Sequence, residues 1–218
     1  MMGEKMSSYY PIFLNVKNKR CVVVGGGEVA ERKVKALLEQ GAQVTLVSQN
    51  LTAELESLAR QGAIQAVLRD YRPGDLKGAL IAIAATDSAQ VNRQIAEDCQ
   101  RLGVLVNVVD DPEASDFIVP SRLCRGDVTI AISTGGRSPA LARKIRTELE
   151  SCIGPEYDSL AQLLSQVRAE MKKSGSSLSG DAWQEALDLE KLLPLLRAGR
   201  IEEARRLLLD NLTRANGD

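Results

Sequence analysis

Short apolar runs alternate with longer amphipathic patterns through the first half of the chain. Five of these runs are rich in β-branched residues and bounded by glycine or charge, at 21–24, 43–47, 63–68, 79–85 and 104–109. Such runs are typical of strands buried on both faces of a parallel sheet. Helical patterns separate most of them, at 29–40, 52–60 and 88–102. The repeated order of strand and helix predicts a Rossmann-type, doubly wound α/β sheet.

The pattern changes after Val109. Residues 117–120 and the alternating apolar residues of 127–133 predict two antiparallel or edge strands. Ser138 is expected to cap a helix that begins with Pro139 and runs to about Ser151. Further helices are predicted at 155–173, 181–197 and 199–213, with a flexible connection of small and polar residues at 174–180. The predicted domains are therefore a Rossmann domain (1–112), a small α/β domain (113–150) and a helical domain (151–218).

The composition limits which kinds of protein this can be. The chain has 218 residues, of which 44% are hydrophobic and 26% charged, the balance of a folded globular protein. Its 28 basic and 29 acidic residues leave a net charge of −1, which argues against binding to nucleic acid or to an anionic membrane. We expect no membrane span, because no apolar run is long enough, and no signal peptide, because the first residues are too polar.

The cysteine and histidine content restricts the chemistry. The four cysteines are far apart and form no CxxC pair, so we expect reduced thiols and a cytoplasmic location; they are Cys21, Cys99, Cys124 and Cys152. The chain contains no histidine, which excludes a histidine base and imidazole metal ligands, and no metal site is predicted. Any catalysis must rely on carboxylates, hydroxyls, thiols or a cofactor.

A glycine-rich loop lies between the first predicted strand and the first predicted helix, in the sequence VVVGGGEVAERK at 22–33. Gly25, Gly27 and Ala30 match the dinucleotide-binding fingerprint, with alanine at its third position. Gly25 permits the sharp turn, Gly27 leaves room for a pyrophosphate, and Ala30 lets the helix approach the sheet. The free N–H groups of the helix N-terminus bind the anion. This context predicts a nucleotide site over Gly25–Ala30, with Gly26 inside the loop.

The end of the second predicted strand bears on the choice of nucleotide. The fingerprint is usually followed, about 20 residues on, by an acidic residue that binds the adenosine ribose. Here that place holds Ser48, Gln49 and Asn50, which can hydrogen-bond a ribose but carry no charge. No arginine stands there to bind a 2′-phosphate, so NAD is favoured over NADP.

Two further strand ends carry polar residues that belong at the same edge of the sheet. Thr86 and Asp87 follow the fourth predicted strand, where they contact the nucleotide unless Asp87 or Ser88 simply caps the next helix. Asp110 and Asp111 follow the fifth strand, in the sequence NVVDDP at 107–112. A carboxylate at that place can act as a base, an acid or a metal ligand, although Asp-Asp-Pro also favours a plain turn.

These motifs together resemble the precorrin-2 dehydrogenase/sirohydrochlorin ferrochelatase family, the N-terminal module of siroheme synthases. The matching segments cover most of the first 150 residues in the family's order: YYPIFLNV at 9–16, VVVGGGEVAERK at 22–33, IAIAATDSAQVN at 81–92, VNVVDDPEASDFIVPS at 106–121 and GDVTIAISTGGRSPALARKIRTELE at 126–150. The NVVD and STGG segments are far more specific than the glycine loop. After residue 150 the chain matches only as a helical segment.

The resemblance implies NAD-dependent oxidation of precorrin-2 to sirohydrochlorin, with Fe²⁺ insertion to give siroheme in the bifunctional members. It implies that Asp110 is the catalytic aspartate and that NAD is contacted at four further positions: Glu28, Val29, Gln49 and Asn50. Family members are homodimers joined through the middle domain. The segment 113–150 is therefore the expected dimerisation and substrate-site domain.

The substrate implied by the resemblance is a polycarboxylate, so its site should be locally basic. Between residues 117 and 147 six basic residues stand against Asp127 alone, a local charge of +5; they are Arg122, Arg125, Arg137, Arg143, Lys144 and Arg146. Arginine binds carboxylates through paired hydrogen bonds, and Arg137 in the turn STGGRSP is the preferred candidate. Thr134 falls in the family's substrate loop, where relatives often carry serine. The predicted substrate-binding residues are Asn107, Ser133, Thr134 and Arg137.

Several interpretations stay open at this point. The basic residues at 143–146 would equally suit a solvated helix face. A non-catalytic NAD-sensing module, or a dehydrogenase of another small carboxylate, would also carry the glycine loop, although neither would bind a tetrapyrrole. Whether the chain inserts iron or only dehydrogenates is open as well.

Overall fold

The computed structural model describes residues 9–175 and 178–215. The chain divides into two compact units, one ending at Val119 and the other beginning at Pro120. The three-part domain division stays a prediction. The connection predicted at 174–180 falls partly on residues 176 and 177, which lie outside the described residues.

The first unit contains a five-stranded parallel sheet and the helices that connect its strands. In chain order its elements are β1 (Arg20–Val24), α1 (Glu28–Glu39), β2 (Gln43–Val47), α2 (Ala53–Arg60), β3 (Gln65–Val67), a 3₁₀ turn (Pro73–Leu76), β4 (Ile81–Ala84), α3 (Ala89–Leu102) and β5 (Leu105–Val108). The strand order is β3-β2-β1-β4-β5, and all neighbours are parallel. This order, which reverses direction at β1, confirms the predicted Rossmann-type sheet.

The sheet carries a hydrophobic cluster on each face. Alternate residues of β1 belong to opposite clusters: Val23 packs in the cluster that contains Val34 of α1, whereas Val22 and Val24 pack in the cluster that contains Ile95 of α3. All five side chains are buried. Burial on both faces is the reason that these strands are continuous apolar runs and do not alternate with polar residues.

The second unit begins with a two-stranded antiparallel hairpin and continues with helices. In chain order its described elements are β6 (Ser121–Arg125), β7 (Val128–Ile132), α4 (Pro139–Cys152), α5 (Glu156–Lys173), α6 (Gly180–Ala186), α7 (Leu189–Arg197) and α8 (Ile201–Ala215). Leucines of α5, α7 and α8 form a third hydrophobic cluster with Trp183 of α6, and the predicted helical C-terminal segment is confirmed. Within the described ranges no helix is long and apolar enough to cross a membrane.

Two predicted elements after the Rossmann sheet are wrong. Residues 117–120 are not a strand, and the pairing strand is β6. Pro120 has no N–H to donate, and the chain before it folds back on β5, where the N–H of Asp116 donates to the carbonyl of Val106 at 2.8 Å. The helix predicted at 181–197 is two helices, because α6 ends at Ala186 and the side chain of Asp188 caps α7.

Candidate dinucleotide-binding site

The loops that follow β1 and β4 lie side by side, where the strand order of the sheet reverses. β1 pairs with β2 on one side and with β4 on the other. In doubly wound sheets this reversal opens a crevice at the carboxyl ends of the strands, where ligands bind. Backbone hydrogen bonds extend beyond the strands, from the N–H of Gly25 to Val47 at 2.9 Å and from the N–H of Ala85 to Val24 at 2.8 Å. The structure therefore brings two of the predicted cofactor-binding segments to one edge.

The three glycines of the loop have different structural reasons to be glycine. Gly25 has a φ of +117°, and a Cβ there would lie 2.1 Å from the carbonyl oxygen of Ala85. A Cβ on Gly26 would lie 1.8 Å from the carbonyl oxygen of Asn50. Gly27 has an ordinary φ of −85°, and apart from its two chain neighbours no described residue has an atom within 4 Å of its Cβ position. The fold thus requires glycine at the first two positions and leaves open space at the third.

That open space lies at the N-terminus of α1. Gly27 directly precedes the helix, and within the described part of the chain no side chain caps the first turn. The N–H groups of Glu28, Val29 and Ala30 therefore remain available to an anion, with the positive end of the helix dipole behind them. Ala30 is fully buried against the sheet, as the fingerprint requires. Open space beside uncapped N–H groups fits the pyrophosphate of a dinucleotide.

Two of the residues predicted to bind the cofactor after β2 make side-chain hydrogen bonds, one within the segment and one to the loop after β3. The hydroxyl of Ser48 donates to the carbonyl oxygen of Asn50 at 2.8 Å and so shapes the turn. The amide of Gln49 donates to a carboxylate oxygen of Asp70 at 2.9 Å. Sequence reasoning missed Asp70, which lies 21 positions further along the chain and follows β3. The signal that could have found it was the sheet order, because β3 lies next to β2 and their carboxyl ends adjoin.

Thr86 is fixed by a buried asparagine. The hydroxyl of Thr86 donates to the side-chain oxygen of Asn92 at 2.7 Å, and the amide of Asn92 donates back to the Thr86 carbonyl at 2.9 Å. The helix cap is Ser88, whose hydroxyl accepts a hydrogen bond from the N–H of Val91. Asp87 lies exposed between them. Capping of α3 therefore falls to Ser88 and leaves the carboxylate of Asp87 at the surface.

Asp110 follows β5 in a left-handed backbone conformation. β5 lies next to β4, and the N–H of Val109 still donates to Ala84 at 2.9 Å. Asp110 then adopts a φ of +60°, which aspartate tolerates better than most residues, and it is exposed. The carboxylate of Asp111 accepts a hydrogen bond from the N–H of Ala114 at 3.1 Å. Asp111 therefore serves the turn, and Asp110 presents its carboxylate at the sheet edge.

A lysine of α1 lies within electrostatic reach of Asp110. Burial lowers the pKa of Lys33, the neighbouring Arg32 lowers it further, and the carboxylate of Asp110 acts in the opposite direction. Sequence reasoning missed Lys33 because a lysine on an amphipathic helix is mostly a solvated residue. The fold thus places a cation near the predicted catalytic carboxylate.

The buried thiols are poor candidates for catalysis. Burial raises the pKa of Cys21 to about 11 and that of Cys99 to about 12, and a thiol must ionise to act as a nucleophile. Cys124 and Cys152 are exposed, and all four cysteines are free. Among the residues that the structure describes, no group of three or more Cys, Asp or Glu side chains is placed to hold a metal ion.

The predicted substrate-binding residues are divided between the two units. Asn107 lies buried on β5 in the first unit, where its amide donates to the carbonyl oxygen of Phe117 at 3.0 Å. This bond fixes the segment that folds back along β5. The other three residues lie in the second unit, within the loop between β7 and α4.

That loop is held by its own hydroxyl groups. The hydroxyl of Ser133 accepts from the N–H of Gly135 at 3.0 Å. The hydroxyl of Thr134 donates to the carbonyl of Ser138 and accepts from its N–H, both at 3.0 Å. Arg137 is exposed at the turn, and within the described residues its guanidinium has no partner. These hydrogen bonds shape the loop, which presents the exposed cation of Arg137.

The basic segment is less positive than its sequence suggests. Lys144 lies 3.5 Å from Glu148, and Arg146 pairs with Glu150, one turn further along α4. The count of +5 ended at residue 147 and left both glutamates out. These two cations behave as a solvated helix face, which leaves Arg137 as the stronger candidate for binding carboxylates.

Comparisons with known proteins agree with this geometry. Residues 12–121, just over half of the chain, match a family model described as "Putative NAD(P)-binding". Residues 125–151 match a second model, described as "Sirohaem biosynthesis protein central". The chain therefore belongs to this NAD(P)-binding family, and the resemblance to the siroheme-synthase module is confirmed.

Two siroheme synthases and one solved structure are similar to most of this chain. The chain is 45% identical over 164 residues to the siroheme synthase of Chromobacterium violaceum, covering 75% of this chain and 35% of that protein. It is 39% identical over 204 residues to the siroheme synthase of Methylococcus capsulatus, covering 93% and 43%. The chain thus spans about two fifths of the length of these relatives. A solved structure of SirC, precorrin-2 dehydrogenase, matches with a TM-score of 0.68 at 24% identity, covering 94% of this chain and 100% of that one, and supports the fold.

Proposed function

We propose that this chain is an NAD-dependent dehydrogenase that oxidises precorrin-2 to sirohydrochlorin in siroheme biosynthesis. The observation that carries the proposal is the shared edge of one sheet, which holds both the uncapped N-terminus of α1 and the exposed carboxylate of Asp110. The first is suited to a dinucleotide and the second to proton transfer. The relatives named siroheme synthase and precorrin-2 dehydrogenase supply the substrate.

The proposed reaction removes two hydrogen atoms from the macrocycle. NAD⁺, when bound, accepts one of them as a hydride, and the other leaves as a proton. Asp110 is the proton acceptor that we propose, because the chain has no histidine and Asp111 is engaged by the turn. Lys33 supplies the nearby positive charge.

The carboxylates of the substrate are proposed to bind through Arg137. A guanidinium binds a carboxylate through two parallel hydrogen bonds, and this one is exposed on a hydrogen-bonded loop. Ser133, Thr134 and Asn107 complete the proposed substrate set. Ser133 and Thr134 already hold the loop that carries Arg137, and Asn107 holds the segment beside β5, so we assign each to shaping its own unit.

Asp110→Asn tests the catalytic part of the proposal. We expect turnover of precorrin-2 to fall about 10²–10⁴-fold, the usual contribution of general base catalysis, while NAD⁺ affinity is unchanged. Asp111→Asn is the matched control, because an amide oxygen can still accept the hydrogen bond from Ala114. Wild-type turnover by Asp110→Asn would refute this role and leave the substrate or water as the base.

A titration with sirohydrochlorin tests the substrate. An NAD-sensing module, or a dehydrogenase of another small carboxylate, would leave the absorbance spectrum of this tetrapyrrole unchanged. We expect a saturable spectral change that Arg137→Ala weakens. Arg143→Ala, on the exposed face of α4, is the control that removes the same charge nearby. An unchanged spectrum would contradict the proposed substrate.

A homodimer belongs to the same proposal. Helix α4 packs against this hairpin, but within the described residues β6 and β7 pair only with each other, so both outer edges of the two-stranded sheet stay unpaired. We propose that a second copy of the chain covers this hairpin. Sedimentation at micromolar concentration should give a dimer, and a monomer would count against this part of the proposal.

Three finer points complete the proposed function. We propose NAD⁺ as the cofactor in preference to NADP⁺, because no arginine follows β2. We propose a cytoplasmic location, with which four free cysteines agree.

Insertion of Fe²⁺ as a second activity rests on the family resemblance, and anaerobic formation of siroheme from sirohydrochlorin and Fe²⁺ tests it.

A further inference from the structure

The carboxylate of Asp70 lies beside the segment after β2, although the sequence pattern does not predict it there. It comes from the loop after the neighbouring strand, β3. β2 and β3 run parallel, and Val47 pairs with Val67 at their carboxyl ends. Gln49 lies two residues beyond β2 and Asp70 three residues beyond β3. The Nε2 group of Gln49 donates to Oδ1 of Asp70 at 2.9 Å. This bond ties the two loops together at the edge that carries the glycine loop.

This position matters because of what dinucleotide sites ordinarily contain. An acidic side chain after the second strand accepts hydrogen bonds from the adenosine ribose and repels a 2′-phosphate. The residues after β2 here are Ser48, Gln49 and Asn50, none of which is charged. Asp70 brings a carboxylate to this position from the next strand. It is exposed, and among the described residues no hydrogen bond engages its second carboxylate oxygen, which can accept from a ribose hydroxyl.

The charges around Asp70 favour a neutral ribose. The nearest cation in sequence, Arg69, is bound to Asp75 through two hydrogen bonds, of 2.8 and 2.6 Å. Its guanidinium is therefore already engaged and is a poor partner for a 2′-phosphate. The other arginine of this loop, Arg72, is exposed. Its backbone N–H donates to Asp75, so its main chain is held by the same carboxylate. While Asp70 is ionised, a phosphate at this edge meets its negative charge directly.

We propose that Asp70, positioned by Gln49, selects NAD⁺ over NADP⁺. The carboxylate accepts a hydrogen bond from the 2′-hydroxyl of the adenosine ribose and repels the 2′-phosphate that replaces it. The inference rests on the proposed dinucleotide site and names the residue that sets its selectivity.

The test compares the binding of NAD⁺ and NADP⁺ by calorimetry in wild type, Asp70→Asn and Gln49→Ala. We expect wild type to prefer NAD⁺, and Asp70→Asn to shift the ratio of the two affinities about tenfold towards NADP⁺, because one like-charge contact is lost. Gln49→Ala should shift it in the same direction by less, since Asp70 keeps its charge but loses its anchor. Glu97→Gln, an exposed charge of α3, is the control for the change in net charge.

The outcomes separate this inference from the proposed function. A ratio in Asp70→Asn equal to that of wild type, with NAD⁺ binding intact, would overturn the role of Asp70 alone. Equal affinity of wild type for both dinucleotides would overturn it too. Wild type that binds neither dinucleotide would refute the nucleotide site, and the inference with it. Melting temperatures of all variants check that the exposed substitutions leave the fold intact.

Discussion

Gly27→Asp is the substitution that best separates ligand binding from folding. Gly27 precedes α1 with a φ of −85° and a ψ of −175°, the extended conformation of a residue that caps a helix. Aspartate caps better than glycine by a few tenths of a kcal/mol, and its charge at a helix N-terminus adds about 0.3–1 kcal/mol. Restricting the unfolded chain adds about 0.4–1 kcal/mol. We therefore expect the free energy of unfolding to rise by about 1–2 kcal/mol.

The same carboxylate would lie in the open space where we propose that the pyrophosphate binds. Two like charges 4 Å apart repel by about 1 kcal/mol in bulk water and about 4 kcal/mol at an effective dielectric constant of about 20. The aspartate also accepts the first-turn N–H groups that would bind the anion. Affinity for NAD⁺ should therefore fall between about fivefold and about a thousandfold.

Calorimetric titration with NAD⁺ and thermal unfolding followed by circular dichroism measure the two effects on the same samples. Gly27→Ala is the control, because its methyl group adds bulk without charge or a capping oxygen. It should weaken binding less and leave stability within about 1 kcal/mol of wild type. A stable Gly27→Asp protein that bound NAD⁺ as tightly as wild type would show that the dinucleotide does not use this loop.

Two further substitutions test the structure around the site and in the second unit. Gly26→Ala should destabilise the first unit by about 1–3 kcal/mol, because its Cβ would lie 1.8 Å from the carbonyl oxygen of Asn50; an unchanged melting temperature would contradict the loop geometry. The hydrogen bond from Arg197 lowers the pKa of Glu156 below its ordinary 4.5, so its stabilisation is present above that pH and is lost as the pH falls. Wild type should therefore lose more melting temperature than Glu156→Gln between pH 7 and about pH 3, and equal losses would contradict this.

The part of the fold that the sequence predicts is the part with local signals. Strands buried on both faces are continuous apolar runs; β2 to β5 lie within predicted runs, and β1 begins one residue before its run. The glycine loop can be predicted from its own residues, because Gly25 has a positive φ that favours glycine and the loop directly precedes a helix. Ser138 and Pro139 likewise mark the start of α4 through capping chemistry that acts within four residues.

The features that sequence reasoning missed depend on distant contacts. Residues 117–120 have strand-forming side chains, but their neighbour Asp116 binds β5 and Pro120 cannot join a ladder. Asp70 reaches Gln49 only because β3 lies beside β2, and Lys33 reaches Asp110 only because α1 packs on the same sheet. Such pairings cannot be inferred from sequence spacing, since neither partner changes the local pattern of the other.

The candidate site residues differ in how many hydrogen bonds within the protein they would lose on binding a ligand. A side chain that already has partners inside the protein must give up about 0.5–1.5 kcal/mol for each bond it redirects to a ligand. Three candidates are of this kind, and each of their hydrogen bonds holds a loop or segment in place. The bonds join Thr86 to Asn92, Asn107 to Phe117, and Thr134 to Ser138. Asp110 and Arg137 are exposed, and among the described residues their side chains have no hydrogen bond to give up. The engaged residues therefore fix the loops, which supports our proposal that the exposed charges, each within its own unit, are the groups that act on the substrate.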